Sequence, residues 1–171
     1  MKANENGKRT PIPAIETLGL DRTDLALLKT LQQQGRTKRN ELAETVGLSL
    51  PAVSERMRKL EERGILEGVY AKLDPKLIGL DVAVFITVTV ESSSRYPEFL
   101  NAATQHPEIL EIHAITGDGS HLVKARTWNT TTLERLLSQI QQFPGVKQTR
   151  TNVVLSTYKE MSALPIEELI V

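Results

Sequence analysis

Three stop signals divide residues 20–64 into three short helices, and this punctuation constrains the fold more than any other feature of the chain. Asp21 is a strong N-cap with Asp24 three residues on, and Leu20 and Leu25 are placed as a hydrophobic staple. Leu25, Leu27, Leu28 and Leu31 form an apolar stripe that Gly35 ends. A second helix carries Leu42, Ala43 and Val46 and stops at Gly47; Thr37 is a candidate cap for it and Lys38 is not. Ser49 caps the third helix, Leu48 and Val53 form its staple pair, and Gly64 ends it.

Helical geometry sorts the third helix into two faces. Val53, Met57 and Leu60 point inward with Leu50 beside them, while Pro51, Glu55, Arg58, Lys59 and Glu62 point away, flanked by Ala52 and Ser54. Small Ala43 lets the second and third helices approach, Gly47 supplies the tight turn, and Leu48 fills the space between them. That combination over residues 40–59 is a helix-turn-helix unit of the kind that enters the DNA major groove. Ser54 can hydrogen-bond there, Pro51 and Ala52 can touch thymine methyls, and Arg58 can reach guanine or phosphate. Arg56 lies at the core edge, open to either a salt bridge or a phosphate contact. The competing reading is a packed helical hairpin with a solvated charged face.

Residues 65–73 are β-branched and aromatic in part and read as a strand leaving the helical unit, turned by Asp74-Pro75. Beyond it the period changes to two. Val82, Val84, Ile86, Val88 and Val90 share one face of a strand, and Ala83, Phe85, Thr87 and Thr89 share the other. A helix over residues 97–105 follows. Leu110, Ile112 and Ala114 then lead to an Asp118-Gly119 turn and a strand over residues 122–127. Thr131 and Glu134 read as a capping box for a helix with Leu133, Leu136, Leu137 and Ile140, and residues 146–158 read as the last strand. The order is βαββαβ, an antiparallel sheet with both helices on one face, so the fold class is α+β.

The 171 residues include 21 basic and 21 acidic side chains, so the net charge is zero. Its distribution is uneven: residues 20–72 carry ten basic against eight acidic residues, and residues 73–171 carry eight against eleven. This permits a basic reading surface without requiring one. The absence of cysteine excludes disulfides, thiolate metal sites and cysteine nucleophiles. The longest apolar run, residues 82–90, contains Thr87 and Thr89, and residues 1–6 offer no apolar core of a signal peptide. A cytoplasmic protein with no membrane partner is expected. His106, His113 and His121 share no metal-ligand spacing, and Gly117-Asp118-Gly119 opens no phosphate loop. No catalytic triad can be grouped, and Trp128 forms no stacking stripe with the other aromatics.

Taken together, Leu20-Asp21 with Asp24, Gly35-Arg36, Glu41-Leu42-Ala43, Val46-Gly47-Leu48-Ser49 and Val53 with Arg56-Met57, Leu60-Glu61 and Gly64-Ile65 resemble the Lrp/AsnC, or feast/famine, family of regulators. So do Leu73-Asp74-Pro75 with Gly79, Thr116-Gly117-Asp118 with Leu122, and Pro144-Gly145-Val146 with Thr149-Arg150-Thr151 and Val154-Leu155. The resemblance runs from residue 20 to residue 159 in the family's order. It implies an N-terminal winged helix-turn-helix joined by a hinge strand to a ferredoxin-like effector and oligomerisation domain. The expected boundaries are a flexible extension at 1–18, the winged unit at 19–66, hinge strand and linker at 67–80, the second domain at 81–160 and a tail at 161–171. Two positions depart from the family pattern. Gly119, Ser120 and His121 stand where an aromatic, a second aspartate and a further aromatic are usual, and Lys38 stands where serine usually caps.

These readings converge on a transcription regulator, not an enzyme, that binds pseudo-palindromic double-stranded DNA as a homodimer, or as a tetramer or octamer. The expected DNA-contacting residues are Arg36, Lys38, Arg39, Ser49, Pro51, Ala52, Ser54, Glu55, Arg58 and Lys59. An amino acid or related effector is expected at Thr116, Gly117, Asp118, Gly119 and Ser120 with Thr149, Thr151 and Val153, and no cofactor or metal is expected. Two alternatives share the architecture. One is a tetrapyrrole decarboxylase using His113, His121 and Arg126; the other is an architectural protein with little sequence preference.

Overall fold

The computed structural model describes residues 18–166. The expected extension at residues 1–17 and the last five residues of the tail lie outside the described residues. The chain forms two compact units. One comprises residues 18–72 together with 161–166, and the other comprises residues 73–160.

The first unit holds α1 (Arg22–Gln33), α2 (Arg39–Val46) and α3 (Leu50–Glu62). Asp21 and Asp24 close a reciprocal capping box at the start of α1, with the Asp24 N–H donating to Asp21 at 2.8 Å. Ser49 caps α3 by accepting from the Ala52 N–H. At α2, Lys38 has no oxygen to offer, and the Glu41 carboxylate instead accepts from the Lys38 N–H at 3.3 Å. Gly47 adopts φ 67°, the left-handed conformation that reverses the chain between α2 and α3. Leu27, Leu42, Ala43, Val53 and Met57 form one apolar cluster with Leu48 packed against it; Leu20, Leu25 and Leu60 form another.

Two expectations are corrected here. Leu50 does not join the inner face: it is 48% exposed, because as the first residue of α3 it projects past the end of the packed helices. Residues 65–73 carry no strand. A strand needs a ladder partner for its backbone N–H and C=O groups, and no other segment of the described chain supplies one.

The second unit is a four-stranded antiparallel sheet of β1 (Val82–Val90), β2 (Ile109–Ala114), β3 (His121–Thr127) and β4 (Val146–Val153), in the order β2-β3-β1-β4. Helices α4 (Tyr96–Thr104) and α5 (Thr130–Gln141) both cover one face. Val84, Ile86, Val88 and Val90 of β1 and Val123 and Ala125 of β3 meet Phe99 and Ala103 of α4 and Leu133, Leu136 and Ile140 of α5. Each fully buried large side chain of this cluster contributes about 1.5–3 kcal/mol.

Three local readings are corrected. Asn129, not Thr131, caps α5: its side chain accepts from the Thr132 N–H at 3.0 Å, and Thr132 Oγ1 accepts from the Asn129 N–H at 3.0 Å. Leu110 does not alternate with Ile112, because an extra residue bulges out of β2 between Ile109 and Glu111. Strand β4 stops at Val153 instead of continuing to Tyr158, since its partner β1 begins at Val82 and only the Val154 N–H, donating to Ala83 O, pairs beyond.

Candidate functional sites

The expected reading surface is the exposed side of α2, its turn and α3. Arg36, Lys38, Arg39, Ser49, Pro51, Glu55, Arg58 and Lys59 are exposed there, and Ala52 and Ser54 are half-buried. Among the described residues Arg36, Lys38 and Arg39 make no ion pair. Arg58 is held on the helix surface by Glu55 at 2.6 Å and by Glu62 one turn later. Hydrogen bonds to Glu55 first and Glu62 second raise the Arg58 pKa, and Arg58 correspondingly lowers that of Glu55. Exposed pairs of this kind contribute little, so Arg58 can exchange a carboxylate for a base edge or phosphate at small cost.

Arg56 has a different role from its neighbours. Its Nη1 donates to Asp21 at 2.7 Å and to Asp24 at 2.8 Å, tying α3 to the capping box of α1. Bonds to Asp24 first, then Asp21, raise its pKa. Arg56 is therefore a structural clamp, which settles the choice that the sequence left open.

The second candidate site is the 115–120 turn between β2 and β3. It is wider than a two-residue hairpin: the Ile115 N–H donates to Ser120 O at 3.1 Å, and both Gly117 and Gly119 have positive φ. Asp118 is 95% exposed and its carboxylate lies 3.9 Å from Arg150. Ser120 points back into the fold. Its N–H and hydroxyl both donate to Val88 O, the hydroxyl accepts from the Val90 N–H at 3.1 Å, and it meets His121 Nδ1 at 2.9 Å. The His121 ring is buried against Tyr96, edge-on at 4.8 Å, and Phe99 at 5.0 Å, and burial lowers its pKa.

Strand register separates the expected effector residues. Thr149, Thr151 and Val153 stand opposite Val88, Ile86 and Val84, on the helix-covered side. Arg150 stands opposite Thr87, on the open side where the turn rests. Within one chain the turn thus meets β4 through Arg150 and not through either threonine. Sequence reading missed Arg150, although its place between two inward residues signals an outward side chain. The same alternation sends His121 inward and His113 outward, opposite Val88 and Leu122 respectively, so these two do not converge on one cavity as a tetrapyrrole site would need. No group of three metal-binding side chains occurs among the described residues, and no described helix is long and apolar enough to cross a membrane.

A helix-turn-helix unit followed by a separate α+β unit is the architecture of a DNA-binding regulator with a second, ligand-binding domain. Residues 20–67 match the winged helix-turn-helix DNA-binding family and residues 83–164 match the Lrp/AsnC ligand binding domain. The chain is 37% identical over 148 residues to the HTH-type transcriptional regulator FL11 of Pyrococcus horikoshii, covering 86% of this chain and 97% of that one. It is 34% identical over 151 residues to the leucine-responsive regulatory protein of Escherichia coli, covering 86% and 92%. A Neisseria meningitidis transcriptional regulator solved in complex with L-methionine superposes with a TM-score of 0.81 at 29% identity, covering 88% of this chain and 99% of that one. The protein belongs to the Lrp/AsnC family of transcription regulators and is not an enzyme.

Proposed function

We propose that the protein binds pseudo-palindromic double-stranded DNA as a dimer or larger homo-oligomer and that a free amino acid modulates it. The observation that carries the DNA part is the amino-terminal half of α3, where exposed Pro51 and Glu55 flank the small, half-buried Ala52 and Ser54, beside the exposed Arg36, Lys38 and Arg39 cluster. Two-fold symmetry would set two such helices on half-sites about one helical turn apart, or a multiple of it. The open face of the sheet supports self-association: Phe85 stands 38% exposed in the middle of it, away from both helices.

The effector reading rests on Asp118 and Arg150. An amino-acid zwitterion needs one anion and one cation close together, and these two provide them across 3.9 Å, with the backbone of the turn available for further hydrogen bonds. The L-methionine complex of the Neisseria relative supports the same ligand class. Thr149, Thr151 and Val153 contribute only if a second copy brings them to the turn. Ser120 acts as the anchor of the turn, not as a ligand contact, since its hydroxyl is occupied by β1 and His121.

A thermal-shift screen of the twenty amino acids and common 2-oxo acids tests this, because a binder raises the melting temperature by mass action. At least one amino acid should raise it, and Asp118→Ala should abolish that shift while leaving ligand-free DNA affinity unchanged. No shift with any compound at millimolar concentration would refute effector control.

A further inference from the structure

A cavity of about 340 Å³ lies at the far end of β3 from the Asp118 turn, lined by Leu80, Pro107, Glu108, Leu110, Arg126, Trp128 and Arg135. Residues 121–127 form β3, so roughly 20 Å of strand separates the two places. We propose that this cavity is a second small-molecule site, taking an organic monocarboxylate with a flat or branched apolar body.

The sequence builds the cavity in three ways. The bulge in β2 turns Leu110 out of the alternating pattern and onto the wall, where it is exposed. Gly79 lets the Trp128 ring approach the backbone closely: a Cβ at that position would lie 2.8 Å from the ring. The ring is thereby held in place while remaining 55% exposed, an unusual state for the one tryptophan of the chain. Finally, Arg126 projects from β3 with a side chain only 12% exposed. The hydrogen bonds of its guanidinium among the described residues are to Leu80 O at 3.5 Å and to Glu160 at 3.4 Å. A guanidinium has five donors and its bonds to oxygen are ordinarily near 2.9 Å, so a nearly buried cation here leaves much of its capacity for an anion.

The charge of the lining selects the ligand class. Among the lining residues two arginines face one acid: Glu108 pairs with Arg135 at 3.0 Å, while Arg126 shares Glu160 at 3.4 Å with Lys124, which holds that carboxylate more closely at 2.7 Å, so the Arg126 charge is only partly neutralised. That matches a single carboxylate better than a phosphate dianion, which Glu108 would repel. Leu80, Pro107, Leu110 and Trp128 supply the apolar surface for the body of the ligand, and the volume suits a compound of amino-acid size.

Because Trp128 is the sole tryptophan, its emission reports binding directly. The full-length protein should be titrated with 3-phenylpropionate and 4-methylpentanoate, with 3-phenylpropanamide as the uncharged control. Both carboxylates should change the emission saturably, the amide should bind at least about tenfold more weakly, and Arg126→Gln should weaken the carboxylates by about tenfold or more. If Arg126→Gln does not fold, Arg135→Gln, whose side chain is 58% exposed, takes its place and should also weaken binding. Asp118→Ala should leave the titration unchanged. No saturable change up to about 10 mM, equal response to the amide, or loss of response in Asp118→Ala would each overturn the proposal.

Discussion

Gly117 and Gly119 form an internal experiment on how the proposed effector turn is seated. Both have φ near +100°, where a side chain is disfavoured, at 101° and 100°. An alanine at either position therefore bears a backbone strain of about 1–2 kcal/mol. Their surroundings differ. A Cβ at Gly117 meets nothing within 4 Å, whereas a Cβ at Gly119 would lie 2.5 Å from Thr87 Cγ2 and 3.2 Å from Val88 O. Thr87 is β-branched and sits in the middle of β1, so it cannot rotate away freely. The turn would have to lift, straining the Ser120 bonds to Val88 and Val90, at a further cost of about 1–3 kcal/mol. Urea unfolding followed by Trp128 fluorescence reads the unit that contains the turn. Gly119→Ala should be less stable than Gly117→Ala by at least about 1 kcal/mol. Equal destabilisation of the two variants would mean that strand β1 does not seat the turn.

Three further outcomes follow from the geometry. Burial holds the His121 pKa below its ordinary 6.5, so the folded state binds fewer protons than the unfolded one between that lowered value and 6.5. The stability due to neutral His121 is thus fully present above pH 6.5 and is lost as pH falls from there towards the lowered value; His121→Phe should flatten this acid-side slope in unfolding titrations. Arg56→Met should lower stability by about 1–2 kcal/mol by stranding Asp24, and an unchanged unfolding midpoint would remove Arg56 from the clamp role. Light scattering at micromolar concentration should give a mass at least twice 19.0 kDa, and Phe85→Lys should reduce it; a wild-type monomer would refute association through the open sheet face.

The helical unit was legible because its signals are local. Asp21, Ser49 and Gly47 act through bonds to residues three or four positions away, which a sequence displays directly. The βαββαβ order was legible for a similar reason, since alternation along residues 82–90 survives in the burial pattern of β1. Asn129 was missed because residues 129–132 are all capping types, and the helix start depends on where β3 releases the chain. The bulge at Leu110 and the end of β4 depend on a neighbouring strand, information no single segment carries. The candidate effector site divides along the same line. Thr116 to Ser120 were correctly placed on one turn, but strand register sends Thr149 and Thr151 to the opposite face and brings Arg150 forward. The sequence places Ser120 among the effector contacts, and strand pairing adds what no single segment shows, that its hydroxyl bonds to β1 and to His121.

The central claim is that α3 reads bases while the Arg36, Lys38 and Arg39 cluster holds phosphate. After selection of bound sites from random DNA, fluorescence anisotropy across a salt series with selected and scrambled duplexes tests it most directly. Arg58→Ala should weaken the selected site by about 1–3 kcal/mol with little effect on the scrambled one. Lys38→Ala and Arg39→Ala should weaken both duplexes alike and each reduce the salt slope by about 1. Wild-type protein that binds selected and scrambled DNA equally, or variants that all bind as wild type does, would contradict it.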